Sequence, residues 1–279
     1  MTSRLRSLFI KFFGKILKIR KLDAVEQLPQ FPFGSLPLAT RDEYIALHKK
    51  ACAKRSIEID AYEKKTGFKI NKKWIDELAL HTQVVKKKSE VNYLHGHLLY
   101  SALCQRITNL AVGEKLTAFE TGTARGFSTL CMAKALMDTA TFGKIVTLDI
   151  LPHDVAIFWN CIDDLEGAKT RRELLKPWDE YLNFAIFLQL DASKDLQRVG
   201  LSRIHFAFID ASHDKDSVIK EFDFIQKRQQ QGDMILFDDV SSKFPEVQEA
   251  LCFIRKNSNY EILTFDENDE RGYALATRR

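Results

Sequence analysis

From residue 116 onward, five short runs rich in β-branched and aromatic residues alternate with stretches of helical texture: LTAFET, KIVTLDI, FAIFLQLD, IHFAFID and DMILFDD. Few folds accept that alternation. A strand, a crossover helix and a second strand running the same way form a right-handed unit, and a series of such units predicts an α/β fold with a doubly wound, mostly parallel sheet. The chain closes with YEILTFDE and GYALATRR around NDERG, which reads as an antiparallel C-terminal hairpin. Sheets of this kind bind ligands outside the carboxyl ends of their strands, near the point where the strand order reverses. The chemistry is therefore expected at the residues that end each strand.

Before the sheet the texture is different. Residues 1–21 place Leu5, Leu8, Phe9, Phe12, Phe13, Ile16 and Leu17 at three- and four-residue steps with lysines on the other side, an amphipathic basic helix. Residues 22–40, with the Pro-rich LPQFPFGSLPLAT, read as a linker, residues 41–113 as a helical cap, and residues 114–279 as the α/β domain. The first segment carries +7 while the whole chain carries +4, which leaves −3 on residues 22–279. A nucleic-acid partner for the main body is excluded on that balance. The basic helix suits either an anionic membrane surface or a docking face on protein. Lys11 and Lys15 interrupt what would be the apolar core of a signal peptide, and the five cysteines show no CxxC pair, so a reduced, cytoplasmic protein is expected, with peripheral membrane contact through residues 1–21 one of the two alternatives for its basic helix. The lysines at 86–88 read as a solvated face.

The first strand ends in Glu120-Thr121-Gly122-Thr123-Ala124-Arg125-Gly126 and opens directly into the helical STLCMAKALMD. Gly122 permits a tight turn with close ligand approach, and Gly126 lets the helix start near the strand end. The spacing is not the GxGxxG of a dinucleotide site. Asp149 ends the second strand, 23 residues after Gly126, where a carboxylate can accept both hydroxyls of a ribose. Asp191-Ala192-Ser193 ends the third, either as a wall for a base or as a helix cap. Asp210 ends the fourth, followed by Ala211-Ser212-His213, and Asp238-Asp239 end the fifth. Three carboxylates brought to one rim repel unless a cation or protons intervene; hard oxygen ligands suit Mg²⁺ or Ca²⁺, Mg²⁺ if a substrate oxygen and waters complete an octahedron, and His213 beside them suits a proton acceptor. His95 and His97, two apart, point away from each other on a helix, and His205 reads as structural.

Taken in order, ExGxxxG, the LDI aspartate, FIDASH and FDD resemble the class I S-adenosylmethionine-dependent methyltransferases, a Rossmann-like family, over about residues 116–279. The closest likeness is to metal-dependent O-methyltransferases of the catechol type and related bacterial sugar and natural-product enzymes. The resemblance implies that Glu120, Gly122, Thr123 and Gly126 surround the methionine part of S-adenosylmethionine, that Asp149 holds the ribose, and that Asp191, Ala192 and Ser193 face adenine. It implies Mg²⁺ on Asp210, Asp238 and Asp239, and it puts His213 where catechol-type enzymes place a lysine base. SEVNYLHGHLLYSALCQR is similar to the family's helix before the first strand, which adds Gly96 and Tyr100 as cofactor residues and Thr82 and Gln83 as residues that close the pocket.

The expected function is S-adenosylmethionine-dependent, Mg-assisted O-methylation of a hydroxyl on a small molecule or glycan. A non-catalytic membrane-surface adaptor with the same fold is the alternative. Acceptor specificity is expected from the helical cap and the connection at 152–183, where Trp159, Trp178, Arg171 and Arg172 serve either recognition or ordinary packing.

Overall fold

The computed structural model describes residues 36–266 and 271–279. The basic helix expected at 1–21, most of the 22–40 linker and most of the NDERG turn lie outside the described residues. Among the described residues four helices precede the sheet: α1 (Arg41–Cys52), α2 (Ile57–Thr66), α3 (Lys72–Thr82) and α4 (His95–Thr108). Polar side chains start the first three. Thr40 and Glu43 form a reciprocal capping box on α1, while Ser56 and Asn71 accept the N–H groups of Ile59 and Trp74.

Seven strands among the described residues form one sheet: β1 (Leu116–Thr121), β2 (Gly143–Asp149), β3 (Ala185–Gln189), β4 (Phe206–Ile209), β5 (Met234–Phe237), β6 (Tyr260–Phe265) and β7 (Tyr273–Arg278). Their spatial order is β3-β2-β1-β4-β5-β7-β6. The first five are parallel, and β7 pairs antiparallel with both β5 and β6. The order reverses between β1 and β4, so the sequence pattern and the sheet agree on where a ligand belongs. The crossings are made by α5 (Phe127–Asp138), α6 (Arg171–Leu174), α7 (Asp179–Leu182), α8 (Ala192–Asp195), α9 (Lys215–Gln226) and α10 (Pro245–Asn257).

Strand periodicity sorts the core into two layers. Phe206 and Phe208 of β4, Met234 and Leu236 of β5 and Leu275 of β7 face the layer that holds α1 to α5. Their neighbours Ala207, Ile209, Ile235, Phe237, Ala274 and Ala276 face α9 and α10. Both faces of β4 and β5 are buried, which is why these strands read as continuous apolar runs. Each large side chain so buried contributes about 1.5–3 kcal/mol. Among the described residues no helix is long and apolar enough to cross a membrane, and all five cysteines are free thiols.

Candidate active site

The strand ends open into a cleft of about 980 Å³, at the upper end of the roughly 300–1,000 Å³ typical of small-molecule sites. One wall is the loop between β1 and α5. Its residues Gly122, Ala124 and Gly126 all have positive φ, at 92°, 44° and 88°. The loop is closed by its own N–H groups: those of Gly122 and Thr123 donate to the Leu148 carbonyl at 2.9 and 3.2 Å, and that of Gly126 to the Thr123 carbonyl at 2.7 Å. Gly122 has no substitute there, because a Cβ would lie 2.1 Å from the backbone oxygen of Asp210.

The loop is held from three sides. Asp149 accepts the N–H of Ala124 at 2.5 Å and that of Leu151 at 2.8 Å. Arg171, 2% exposed, donates from Nε to the Ala124 carbonyl at 2.8 Å. Its guanidinium lies 5.4 Å from the centre of the Trp159 ring, and Trp159 is fully buried. Glu120 supports the loop from behind. It is fully buried, accepts a short hydrogen bond from the Thr129 hydroxyl, and burial pushes its carboxyl above the usual range.

The opposite corner is acidic, and it contains a cation of its own. Arg271 enters from the start of β7, where Val240 N–H donates to the Gly272 carbonyl at 2.8 Å and ties the two segments together. Its Nε donates to Asp238 Oδ1 at 2.9 Å and lies 3.1 Å from Asp239 Oδ1. Its Nη2 makes a short contact with Asp238 Oδ2 and lies 3.7 Å from Asp210 Oδ2. Burial works against the charge of Asp238, but the guanidinium outweighs it and holds this carboxyl below the usual range. Asp210 is pushed well up by burial and by the neighbouring Asp238.

Asp239, at a left-handed φ of 55°, accepts from His213 Nε2 on Oδ2 at 2.7 Å. That hydrogen bond raises the imidazole above its ordinary pKa. Lys87, from the loop between α3 and α4, also lines the cleft near these acids; burial and Arg271 push its ammonium down to about 8 while Asp239, Asp238 and Asp210 pull the other way.

The profile of a methyltransferase-domain family matches residues 119–240, from within β1 to just past Asp239. By that match, residues 119–240 are similar to a methyltransferase domain. Solved structures with the same fold include cofactor-bound Rv0187 from MTB, 18% identical over 92% of this chain and 96% of that one at a TM-score of 0.50. The O-methyltransferase TomG from Streptomyces achromogenes in complex with SAM is 17% identical over 76% of this chain and 92% of that one, TM-score 0.49. The O-methyltransferase from Bacillus cereus in complex with SAH is 16% identical over 84% and 97%, TM-score 0.46. No curated protein matches the chain.

The expected residues divide into two groups. Gly122, Asp149, Asp191, Ala192, Ser193, Asp210, His213 and Asp239 line the cleft, as does Gln83. Glu120, Thr123 and Gly126 do not line it: Glu120 lies behind the loop, and within the loop Thr123 shares a hydrogen bond with Thr147 and a Cβ on Gly126 would meet Leu175. Two expectations are corrected outright. A Cβ on Gly96 would meet Phe127 at 2.7 Å and Ile75 at 2.8 Å, so this glycine serves the packing of α4 on α5. Tyr100 donates to Asp138 at 2.9 Å, away from the cleft. Thr82 likewise returns its hydroxyl to the Leu78 carbonyl within its own helix.

Asp191 caps α8 through the Ser193 N–H at 2.9 Å while still facing the cleft. His97 and His205 are structural, bonded to Glu63 and to Glu114 with Thr117. Among the lining residues that the sequence did not single out for the site are Arg271, Lys87 and Phe244. The expected three-carboxylate Mg²⁺ set does not fit this arrangement, because both oxygens of Asp238 are committed to Arg271. Asp210, His213 and Asp239 remain with ligand atoms within 4.8 Å of one another, but Asp239 is itself shared between His213 and the guanidinium.

Proposed function

We propose that the protein O-methylates a hydroxyl of a small molecule or glycan. The observation that carries this reading is the His213–Asp239 pair, which stands in the same cleft as the Gly122 loop and is joined to it through the contact of Gly122 with Asp210. The lining suits the cofactor: Asp149 borders the cleft with a carboxylate, Ala192 and Ser193 line it with small side chains, and Gly122 lets the loop after β1 lie against the end of β4. When bound there, S-adenosylmethionine supplies a methyl group on a sulfonium, ready for in-line attack by an oxygen nucleophile.

The chain's own groups prepare that oxygen. His213 donates from Nε2 to Asp239, a tautomer that leaves Nδ1 to accept a proton from the acceptor hydroxyl. Asp239 fixes the ring and stabilises the imidazolium that forms. Phe244, with its ring centre 4.8 Å from that of His213, limits its swing. Lys87 and Arg271 set positive charge beside the developing oxyanion, where a desolvated cleft makes it most effective. Positioning of the acceptor oxygen supplies the remainder.

Calorimetry with S-adenosylmethionine tests the cofactor half, with one saturable site expected per chain. Methyl-labelled S-adenosylmethionine incubated with the source cell's polar metabolites and glycans tests the acceptor half, with label expected on oxygen. Absence of saturable binding would sink the reading as a whole, and label found only on nitrogen or carbon would sink the oxygen assignment.

A further inference from the structure

We propose that Arg271 is the resident cation of the acidic corner, standing where a divalent ion would otherwise neutralise the strand-end carboxylates, so that methyl transfer in this protein proceeds without a metal. The inference rests on the proposed reading of this corner as the acceptor site, and goes beyond it by assigning the charge balance to a residue of the C-terminal hairpin.

The geometry is that of a guanidinium inside a ring of carboxylate oxygens. Asp238 Oδ1 and Oδ2, Asp239 Oδ1 and Asp210 Oδ2 all face Arg271, whose side chain is 16% exposed. Asp238 Oδ1 also accepts the N–H of Asp239 at 2.8 Å, and Asp239 Oδ2 is taken by His213 at 2.7 Å. An octahedral Mg²⁺ needs such oxygens at about 2.0–2.1 Å and demands their lone pairs. Here both oxygens of Asp238 accept N–H groups of Arg271, and Asp239 Oδ2 accepts that of His213. A divalent ion within bonding reach of them would also stand directly against the like charge of Arg271. The planar fork of arginine suits the position, since it offers paired donors to one carboxylate and further donors to its neighbours.

The sheet explains how the arginine arrives. β7 pairs antiparallel with β5, with Ala274 opposite Phe237. The residue that opens the returning strand is thereby laid beside the residues that close β5. The cation is thus built into the hairpin register.

Manganese, a paramagnetic stand-in for magnesium, provides a test that needs no acceptor. Electron paramagnetic resonance of the full-length wild type titrated with Mn²⁺ should show no stoichiometric site below millimolar concentration. Arg271→Gln should acquire one site at least tenfold tighter than wild type, and Arg271→Lys, which retains the charge, should not. A stoichiometric Mn²⁺ site in the wild type overturns the proposal. A folded Arg271→Gln that binds Mn²⁺ no better than wild type overturns it as well. If Arg271→Gln does not fold, the wild-type titration still decides. S-adenosylmethionine calorimetry on the same samples keeps the two readings apart: loss of that binding strikes the methyltransferase assignment, whereas Mn²⁺ binding strikes only the role of Arg271.

Discussion

The Cβ that Gly122 lacks would stand 2.1 Å from the carbonyl oxygen of Asp210, so the turn after β1 and the end of β4 meet backbone to backbone. Gly122→Ala cannot keep both. It places a side chain at a φ of 92° and drives it into a neighbouring strand. The expected outcome is a loss of about 2–4 kcal/mol of stability, as for other overpacked or strained sites, and at least a tenfold loss of S-adenosylmethionine affinity by calorimetry. Gly200→Ala is the control, because a Cβ there meets nothing within 4 Å. Equal damage at both positions would show that the contact with Asp210 is not the cause.

His213→Ala should leave S-adenosylmethionine binding unchanged and lower kcat by about 10²–10⁴, the usual contribution of a positioned general base. The pH dependence has a defined sign. The Asp239 hydrogen bond raises the imidazole above its ordinary 6.5, so the proton-accepting form is lost as pH falls through that raised value. The rate should climb with pH and level off above neutrality. Asp239→Asn removes the charge that favours the imidazolium, so the inflection should move to lower pH while the plateau falls. A pH–rate profile identical to wild type in Asp239→Asn would remove the pair from the mechanism.

Much of this was legible in the sequence for a simple reason: in a doubly wound sheet, residues that end consecutive parallel strands are brought to one edge by the topology itself. Gly122, Asp149, Ala192, Asp210, His213 and Asp239 could be assigned to that edge from strand texture alone, and all line the cleft. Arg271 and Lys87 could not. Arg271 reaches Asp238 only because β7 inserts beside β5, and a hairpin read as sequence does not say which of its strands will pair. Lys87 lies in a lysine run that looks like any solvated face, and its neighbours are more than a hundred residues away. Gly96 and Tyr100 were drawn to the cofactor by likeness of segment. The packing of α4 on α5 shows that the same glycine is required where two helices touch.

Arg171 joins the 152–183 connection to the loop after β1, through its bond to the Ala124 carbonyl and its approach to 3.9 Å from Asp149 Oδ2. It is therefore a positioning residue for Ala124 rather than a surface recognition group, in contrast to its exposed neighbour Arg172. Arg171→Met keeps most of the volume and removes the donors. It should cost about 1–3 kcal/mol, the range for a buried acceptor left unpaired, and weaken S-adenosylmethionine several-fold. Arg172→Met should do neither. Thermal melts with and without S-adenosylmethionine read both effects, and indistinguishable behaviour of the two variants would exclude the positioning role.

Glu221 is buried beneath β1, where it accepts a short hydrogen bond from the Thr121 hydroxyl. Burial, with Asp214 acting in the same direction and His213 against it, raises its carboxyl to about 7 from 4.5. Between those two values the native state holds a proton that the unfolded chain has released, so stability falls as pH rises through this window and the penalty is complete above about 7. A shift of this size corresponds to roughly 3 kcal/mol as an upper figure. Glu221→Gln retains an acceptor for Thr121 and cannot ionise. It should therefore be more stable than wild type at pH 8 and no more stable at pH 4. Denaturant melts at the two pH values measure this directly, and an equal difference at both would mean that Glu221 ionises as readily in the fold as outside it.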